Sequence, residues 1–330
     1  MSSKVKLFPP YLLSLALSLA LLELSFSVFI IFPKLTRALP ENVKNHFDYL
    51  YLSRVHYSVT MMPECAQYDS ETFYTLKKGA KCRFSNREFS TSYSINSAGL
   101  RDSEDDLEKP EVIVLGDSFA MGWGVEQNET FSSVLQTVTN KKILNAGIAS
   151  FGTEREKRML RRLDLSHLRT IIIQYCENDA AENKEAVKSK GITIKSQNDY
   201  ERLSSKHSRN RRYFPFKHTY YTLKNLKHKP ESWEQSMPAE EESGYFLPLL
   251  EQIRAMAPQA RILIFELNGR GRARSGFLRA VQQKVGGEPL VSVIEMETSF
   301  PENFYFDLDL HLKADGHQAV AKALAPYLEK

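Results

Sequence analysis

The chain has 330 residues, 42% hydrophobic and 25% charged, enough to bury one large α/β core with additions or two modest domains, and this composition excludes a disordered chain. Lys and Arg number 44 against 40 Asp and Glu, a net charge of +4, which is too even a balance to indicate nucleic-acid binding. Three cysteines without a Cys-x-x-Cys pair, and no His-rich cluster at zinc spacing, argue against a structural metal site, and no motif calls for a cofactor.

The first element is an apolar run from Phe8 to Phe32, in which Glu23 is the single charge between Lys6 and Lys34. A spanning helix needs roughly 20 apolar residues, whereas the apolar part of a secretory leader is about 7 to 15. The run is therefore expected to be an uncleaved anchor, with 1–34 forming a short cytoplasmic tail and a transmembrane helix; Thr36-Arg37-Ala38-Leu39 is a poor cleavage site. Glu23 costs a few kcal/mol in the bilayer and marks a place for a helix partner. Lys4 and Lys6 before the span nearly balance Lys34 and Arg37 after it, so charge leaves the orientation undecided.

Residues 35–109 read as a small β-rich attachment, with strand-like runs at Tyr49 to Val59, Thr72 to Leu76 and Phe89 to Ile95. Asn96 to Asp102 reads as a turn and Ser103 to Pro110 as a charged linker. Cys65 and Cys82 fall in this segment; a disulfide between them fits an oxidising compartment, while spacing alone leaves two unpaired thiols open. That pairing, with a single span, favours a periplasmic or extracellular main domain on a single-pass membrane protein.

From residue 110 a βαβ rhythm begins. Val112 to Leu115 is a strand apolar on both faces, ending in Gly116-Asp117-Ser118; a helix runs to about Thr139 and a second strand covers Lys142 to Asn145. Thr153 to Leu165 has one apolar helical stripe, and Thr170 to Tyr175 is another buried strand. At about 183–244 the rhythm breaks into a Lys/Arg/His-rich insertion with interleaved aromatics, including Arg211 to Tyr221. This insertion suits anionic headgroups, an acidic glycan, or simply a solvated cap. The rhythm resumes with a helix at Tyr245 to Met256, a strand at Arg261 to Leu267, a helix at Gly276 to Val285, a short strand at Pro289 to Met296 and a C-terminal Ala-rich helix.

Ser118 follows a strand directly, where ligands bind in open α/β sheets, and is the candidate nucleophile. A serine hydroxyl needs an imidazole to take its proton and a carboxylate to orient that imidazole. Of eight histidines only His311 closely follows aspartates in a loop after the last strand. Asp309, two residues earlier, shares a face with it if the stretch is extended; Asp307 is the fallback orienter and His317 the alternative base. The Ser118 amide, the Gly147 amide and the Asn178 side chain, each beyond a successive strand, are candidate oxyanion donors.

Four blocks, Gly116-Asp117-Ser118-Phe119, Asn145-Ala146-Gly147, Glu177-Asn178-Asp179 and Asp309-x-His311 with Gly316-His317, together resemble the SGNH hydrolase, or GDSL esterase/lipase, superfamily over about residues 111 to 326. The resemblance implies a flavodoxin-like three-layer α/β/α sandwich with a parallel sheet, a triad of Ser118, His311 and Asp309, and oxyanion donors Ser118, Gly147 and Asn178. The chain departs from the usual pattern where Cys176 replaces a glycine and where the aspartate stands two rather than three residues before the histidine.

The function expected on these grounds is a membrane-anchored serine esterase acting on acyl esters, O-acetyl among the candidates, of an extracytoplasmic glycan or lipid-linked substrate. An O-acyltransferase modifying a cell-surface polysaccharide and a non-catalytic glycan-binding or assembly protein are the alternatives.

Overall fold

The computed structural model describes residues 10–225, 237–270, 276–296 and 300–329. The described residues divide into two units, one drawn from 10–56 with 209–225 and the other from 57–208 with those after 236.

The smaller unit contains the apolar helix Pro10–Ile31, long and apolar enough to cross a membrane, and the helices Glu41–Arg54 and Lys217–Asn225. The strand expected from Tyr49 is a correction: Tyr49 to Arg54 continue a helix. Phe47, Leu50 and Tyr51 are all buried, at the i, i+3, i+4 spacing of one helical face, and Phe47 meets Phe26 and Phe29 of the apolar helix. Aromatic content suggested strands, but the burial period is that of a helix.

The larger unit opens with two antiparallel hairpins, β1 (Ala66–Asp69) with β2 (Phe73–Leu76), and β3 (Lys81–Ser85) with β4 (Ser90–Ser94). Cys65 and Cys82 are disulfide-bonded, with Cα atoms 5.6 Å apart, while Cys176 is a buried free thiol.

The main sheet comprises β5 (Val112–Leu115), β6 (Ile143–Asn145), β7 (Thr170–Tyr175), β8 (Arg261–Glu266) and β9 (Val291–Val293), ordered β6-β5-β7-β8-β9 and parallel throughout. This is the doubly wound, flavodoxin-like order. Alternate residues face opposite layers, as strand geometry requires. Ile113, Leu115, Ile171, Ile173, Ile262 and Ile264 share a core with the helices Thr153–Leu160, Ala239–Met256 and Gly276–Val285. On the other face Val112, Val114, Ile172, Leu263 and Phe265 share one with the helices Phe131–Thr139 and Ala314–Leu328.

The insertion is narrower than the break in rhythm suggested. Residues 183–188 finish the core helix Asp179–Lys188, with Asn183 fully buried, and residues 239–244 begin the helix Ala239–Met256, with Glu242 and Ser243 buried. Polar residues used inside the core had masked both helix ends.

Candidate active site

Ser118 lies at the carboxyl end of β5, where the chain leaves to β6 on one side and β7 on the other, the crevice in which doubly wound sheets bind ligands. The turn that presents it depends on Gly116, at φ 153°. A Cβ there would lie 2.6 Å from Gln174 Oε1 and 2.7 Å from the Ala120 Cβ. The same Gln174 oxygen accepts the backbone N–H groups of Asp117 and Ala120, both at 3.2 Å. Asp117 caps the short helix Ser118–Met121 by accepting the Phe119 N–H at 3.0 Å, a loop-holding task. Burial pushes its carboxyl up, opposed by that amide, by the His311 charge and by the Asn178 side chain.

His311 bridges the serine and the carboxylate. Its Nε2 lies 2.8 Å from Ser118 Oγ and its Nδ1 2.5 Å from Asp309 Oδ1. An ionised carboxylate only accepts, so Nδ1 carries the proton and Nε2 is left to accept from the serine hydroxyl. Trp123 stacks on the imidazole with ring centroids 5.1 Å apart, and Phe119 lies against it at 4.8 Å, so two aromatic walls fix the ring plane.

The reach from Asp309 to His311 is not that of an extended stretch. Asp309 lies in a turn and Leu310 has φ 69°, an uncommon conformation for a branched residue. The carboxylate and the imidazole meet because the backbone reverses between them.

Two residues that sequence reading passed over hold this loop. The Glu88 carboxylate accepts the backbone N–H groups of Asp307, Leu308 and Asp309 at 2.7, 2.7 and 3.0 Å. Arg270 donates to the Asp307 carbonyl at 2.9 Å, contacts its carboxylate at 3.4 Å, and gives its own N–H to the Leu310 carbonyl. Asp307, the fallback orienter, thus faces Arg270, while Asp309 faces the imidazole. His317, the alternative base, is buried, accepts the Phe131 N–H on Nδ1 at 3.2 Å and is held down to about 3, chiefly by burial. It stacks on Phe131 as a packing residue.

The oxyanion candidates are brought to the same strand ends with different commitments. Asn178 donates to Asp117 Oδ2 at 3.1 Å and keeps a second amide hydrogen on the same nitrogen. The Gly147 N–H is already engaged with Asn145 Oδ1 at 3.0 Å, so its use as a third donor requires sharing or exchanging that bond. A Cβ at Gly147 would lie 2.6 Å from the Met121 N, which explains the glycine by close backbone approach. Asn145 also donates to the Ala120 carbonyl at 2.8 Å and to Ser132 Oγ at 2.9 Å, tying the second block to the first.

Arg101, fully buried in the expected turn, donates to the carbonyls of Met121, Gly122 and Val125 and stacks on Tyr93 at 3.8 Å. A lone arginine in a polar turn gives no sequence signal for this. Glu88 equally lacks one, because its partners are backbone amides far along the chain.

A protein-family model described as GDSL-like lipase/acylhydrolase matches residues 114–319, more than half of the chain. No curated protein matches. Solved structures similar to the chain include a carbohydrate esterase family 2 enzyme with a carbohydrate binding domain from Corynascus thermopiles (Myceliophthora fergusii), at 10% identity over 67% of this chain and 65% of that one, with a TM-score of 0.42. Another is a family two carbohydrate esterase from Clostridium thermocellum in complex with cellohexaose, at 12% identity over 68% of this chain and 64% of that one, also with a TM-score of 0.42.

Proposed function

The chain belongs to the GDSL-like lipase/acylhydrolase family and is a serine ester hydrolase, and from that premise we propose that Ser118, His311 and Asp309 are its catalytic triad. We propose as substrate an acyl ester, foremost an acetyl ester, of an extracytoplasmic glycan or lipid-linked molecule. The observation that carries the triad is the unbroken relay from Ser118 Oγ through His311 to Asp309, at 2.8 and 2.5 Å.

In this reading Ser118 Oγ attacks the acyl carbon while His311 Nε2 takes the hydroxyl proton, and Asp309 stabilises the imidazolium that forms. Negative charge on the carbonyl oxygen is met by the Ser118 amide, by Asn178 and by Gly147 once its bond to Asn145 is shared. His311 returns the proton to the departing hydroxyl of the substrate. Water then repeats the sequence against the acyl-serine, releasing the acid and restoring Ser118.

The compartment is part of the proposal. The helix Pro10–Ile31 is long and apolar enough to serve as a membrane anchor. The Cys65–Cys82 disulfide supports an oxidising, extracytoplasmic location for the larger unit. Substrates there are surface glycans and lipid-linked molecules.

The test is Ser118→Ala. Wild-type protein should cleave short-chain aryl esters and take a fluorophosphonate label, and the variant should do neither. Labelling that persists at full intensity removes Ser118 as nucleophile. Mass spectrometry of surface glycans and lipids from cells carrying wild-type or Ser118→Ala protein should show one acylated species accumulating with the variant; unchanged profiles would exclude both proposed substrate classes.

A further inference from the structure

Glu23 stands eight residues before the end of the apolar helix, about 12 Å along its axis. With Ile31 at the outer boundary of a hydrocarbon layer about 30 Å thick, Glu23 lies within the outer leaflet. A lone carboxylate at that depth costs several kcal/mol. Here it is satisfied by one short segment nearly two hundred residues later. Oε1 accepts the Tyr213 hydroxyl at 2.9 Å and lies 3.0 Å from His218 Nδ1. Oε2 accepts both the backbone N–H and the hydroxyl of Thr219, at 2.8 and 2.9 Å. The His218 ring also stacks on Phe26, one turn further along the apolar helix, at 4.8 Å.

The same segment carries large apolar side chains that stand exposed. Tyr213, Phe214, Phe216, Tyr220 and Leu223 are between 43% and 61% exposed. Five large apolar or aromatic side chains within eleven residues are far more than a solvated cap needs to show. The apolar helix is bare along its length as well, with Leu13, Leu17, Leu21 and Leu24 more than half exposed. Arg211, Arg212 and Lys224 flank the aromatic residues at the two ends of the segment, where long basic side chains can extend away from the apolar layer toward phosphate.

We infer that residues 213–224 are a second membrane-seated element, which does not span but lies in the outer leaflet, docked on the anchor through Glu23 and covered by lipid on its aromatic face. The inference rests on the proposed anchoring and extends it. The partner of Glu23 must share its depth, and the residues around that partner are those a lipid interface accepts. It also makes the apolar helix a retained part of the fold, since removing it would leave Tyr213, His218 and Thr219 without the carboxylate they surround.

The experiment uses the full chain reconstituted in phosphatidylcholine vesicles that carry doxyl-labelled lipid. Tyr220→Cys and Leu223→Cys are labelled in turn with an environment-sensitive fluorophore, and Val138→Cys, 56% exposed on the larger unit, serves as the reference. The native cysteines are bonded or buried and take no label. Quenching at 220 and 223 should exceed that at 138 by about threefold or more. Glu23→Ala should lower it toward the reference, while Glu23→Gln, which keeps one acceptor oxygen for either Tyr213 or Thr219, should retain part of it. Equal quenching at all three positions, with the chain still bound to vesicles, overturns the second element and leaves the anchor standing. A chain that does not co-float with vesicles overturns both. If Glu23→Ala does not fold, the wild-type comparison and Glu23→Gln still decide.

Discussion

Glu88 Oε2 accepts the backbone N–H of Asp309 at 3.0 Å, so the residue whose carboxylate meets His311 Nδ1 is itself held by a carboxylate from the β3–β4 turn. The same carboxylate gathers the amides of Asp307 and Leu308. Three amides converging on one side chain hold a loop more firmly than its own turn, with Leu310 at φ 69°, would hold itself. Glu88 is therefore a positioning residue for the proposed triad.

Glu88→Ala should lower kcat on an aryl ester by about 10- to 100-fold with KM little changed, because small displacements of a catalytic group act on the transition state more than on binding. Glu88→Gln retains an acceptor oxygen and should recover part of the loss. Steady-state kinetics beside circular dichroism checks this. Equal losses in the two variants, or a change confined to KM, would show that Glu88 does not act through Asp309.

Asp309 and Asp307 are separated by a second comparison. Asp309→Asn replaces the acceptor of the Nδ1 proton by a group that can also donate, allowing the wrong tautomer of His311, and should cost about 1,000- to 10,000-fold in kcat. Asp307→Asn weakens the 3.4 Å contact with Arg270, which lies away from the imidazole, and should stay within about tenfold. Comparable losses in both would return the orienter to the pair rather than to Asp309.

The two aspartates also show where sequence reading reached and where it stopped. The βαβ alternation, the buried strands β5 and β7 and the residues at their ends were legible, because a strand buried on both faces has a recognisable apolar run and a glycine marks its exit. The proximity of Asp309 to His311 was anticipated through the wrong geometry, an extended stretch in place of a turn, since a positive φ at leucine leaves no mark in the sequence. Glu88, Arg101, Arg270 and Gln174 were missed for a shared reason: each acts on backbone atoms distant in the chain, and such pairings have no local period. The helix through Tyr49 was read as strand because aromatic content outweighed the spacing of Phe47, Leu50 and Tyr51. Glu23 was recognised as calling for a partner, while the identity of that partner emerged only from the packing of Tyr213, His218 and Thr219 around it.

Glu156 is fully buried and neither of its carboxyl oxygens has a hydrogen-bond partner among the described residues. Burial, then the charges of Asp117 and Glu182, pushes its carboxyl well up, and Asp179 is raised in the same way. A folded-state pKa above the unfolded value means that protonated Glu156 contributes stability present at low pH and lost as pH rises above about 4.5. Glu156→Gln cannot ionise and should raise the melting temperature by a few degrees at pH 8, on the order of 1 kcal/mol or more, and by less at pH 5. Thermal melts of the detergent-solubilised full chain at the two pH values check this; a variant that gains equally at both, or loses at pH 8, would show that ionisation of Glu156 is not what limits stability there.

His317 gives the opposite pH dependence. Its folded-state value near 3, set by burial and then by the charges of Arg101 and His311, lies below the ordinary 6.5. As pH falls below 6.5 the unfolded chain takes up a proton that the folded chain refuses, so stability should fall from about pH 6.5 toward 3, with a slope approaching roughly 1.4 kcal/mol per pH unit from this residue alone. His317→Gln keeps an acceptor for the Phe131 N–H while removing the titration, so urea unfolding at pH 7, 5 and 4 should show a flatter decline than wild type. The same variant should keep most of its esterase activity, because His311 rather than His317 faces Ser118 Oγ. Loss of turnover in a folded His317→Gln protein, with His311→Gln retaining it, would exchange the two histidines as base.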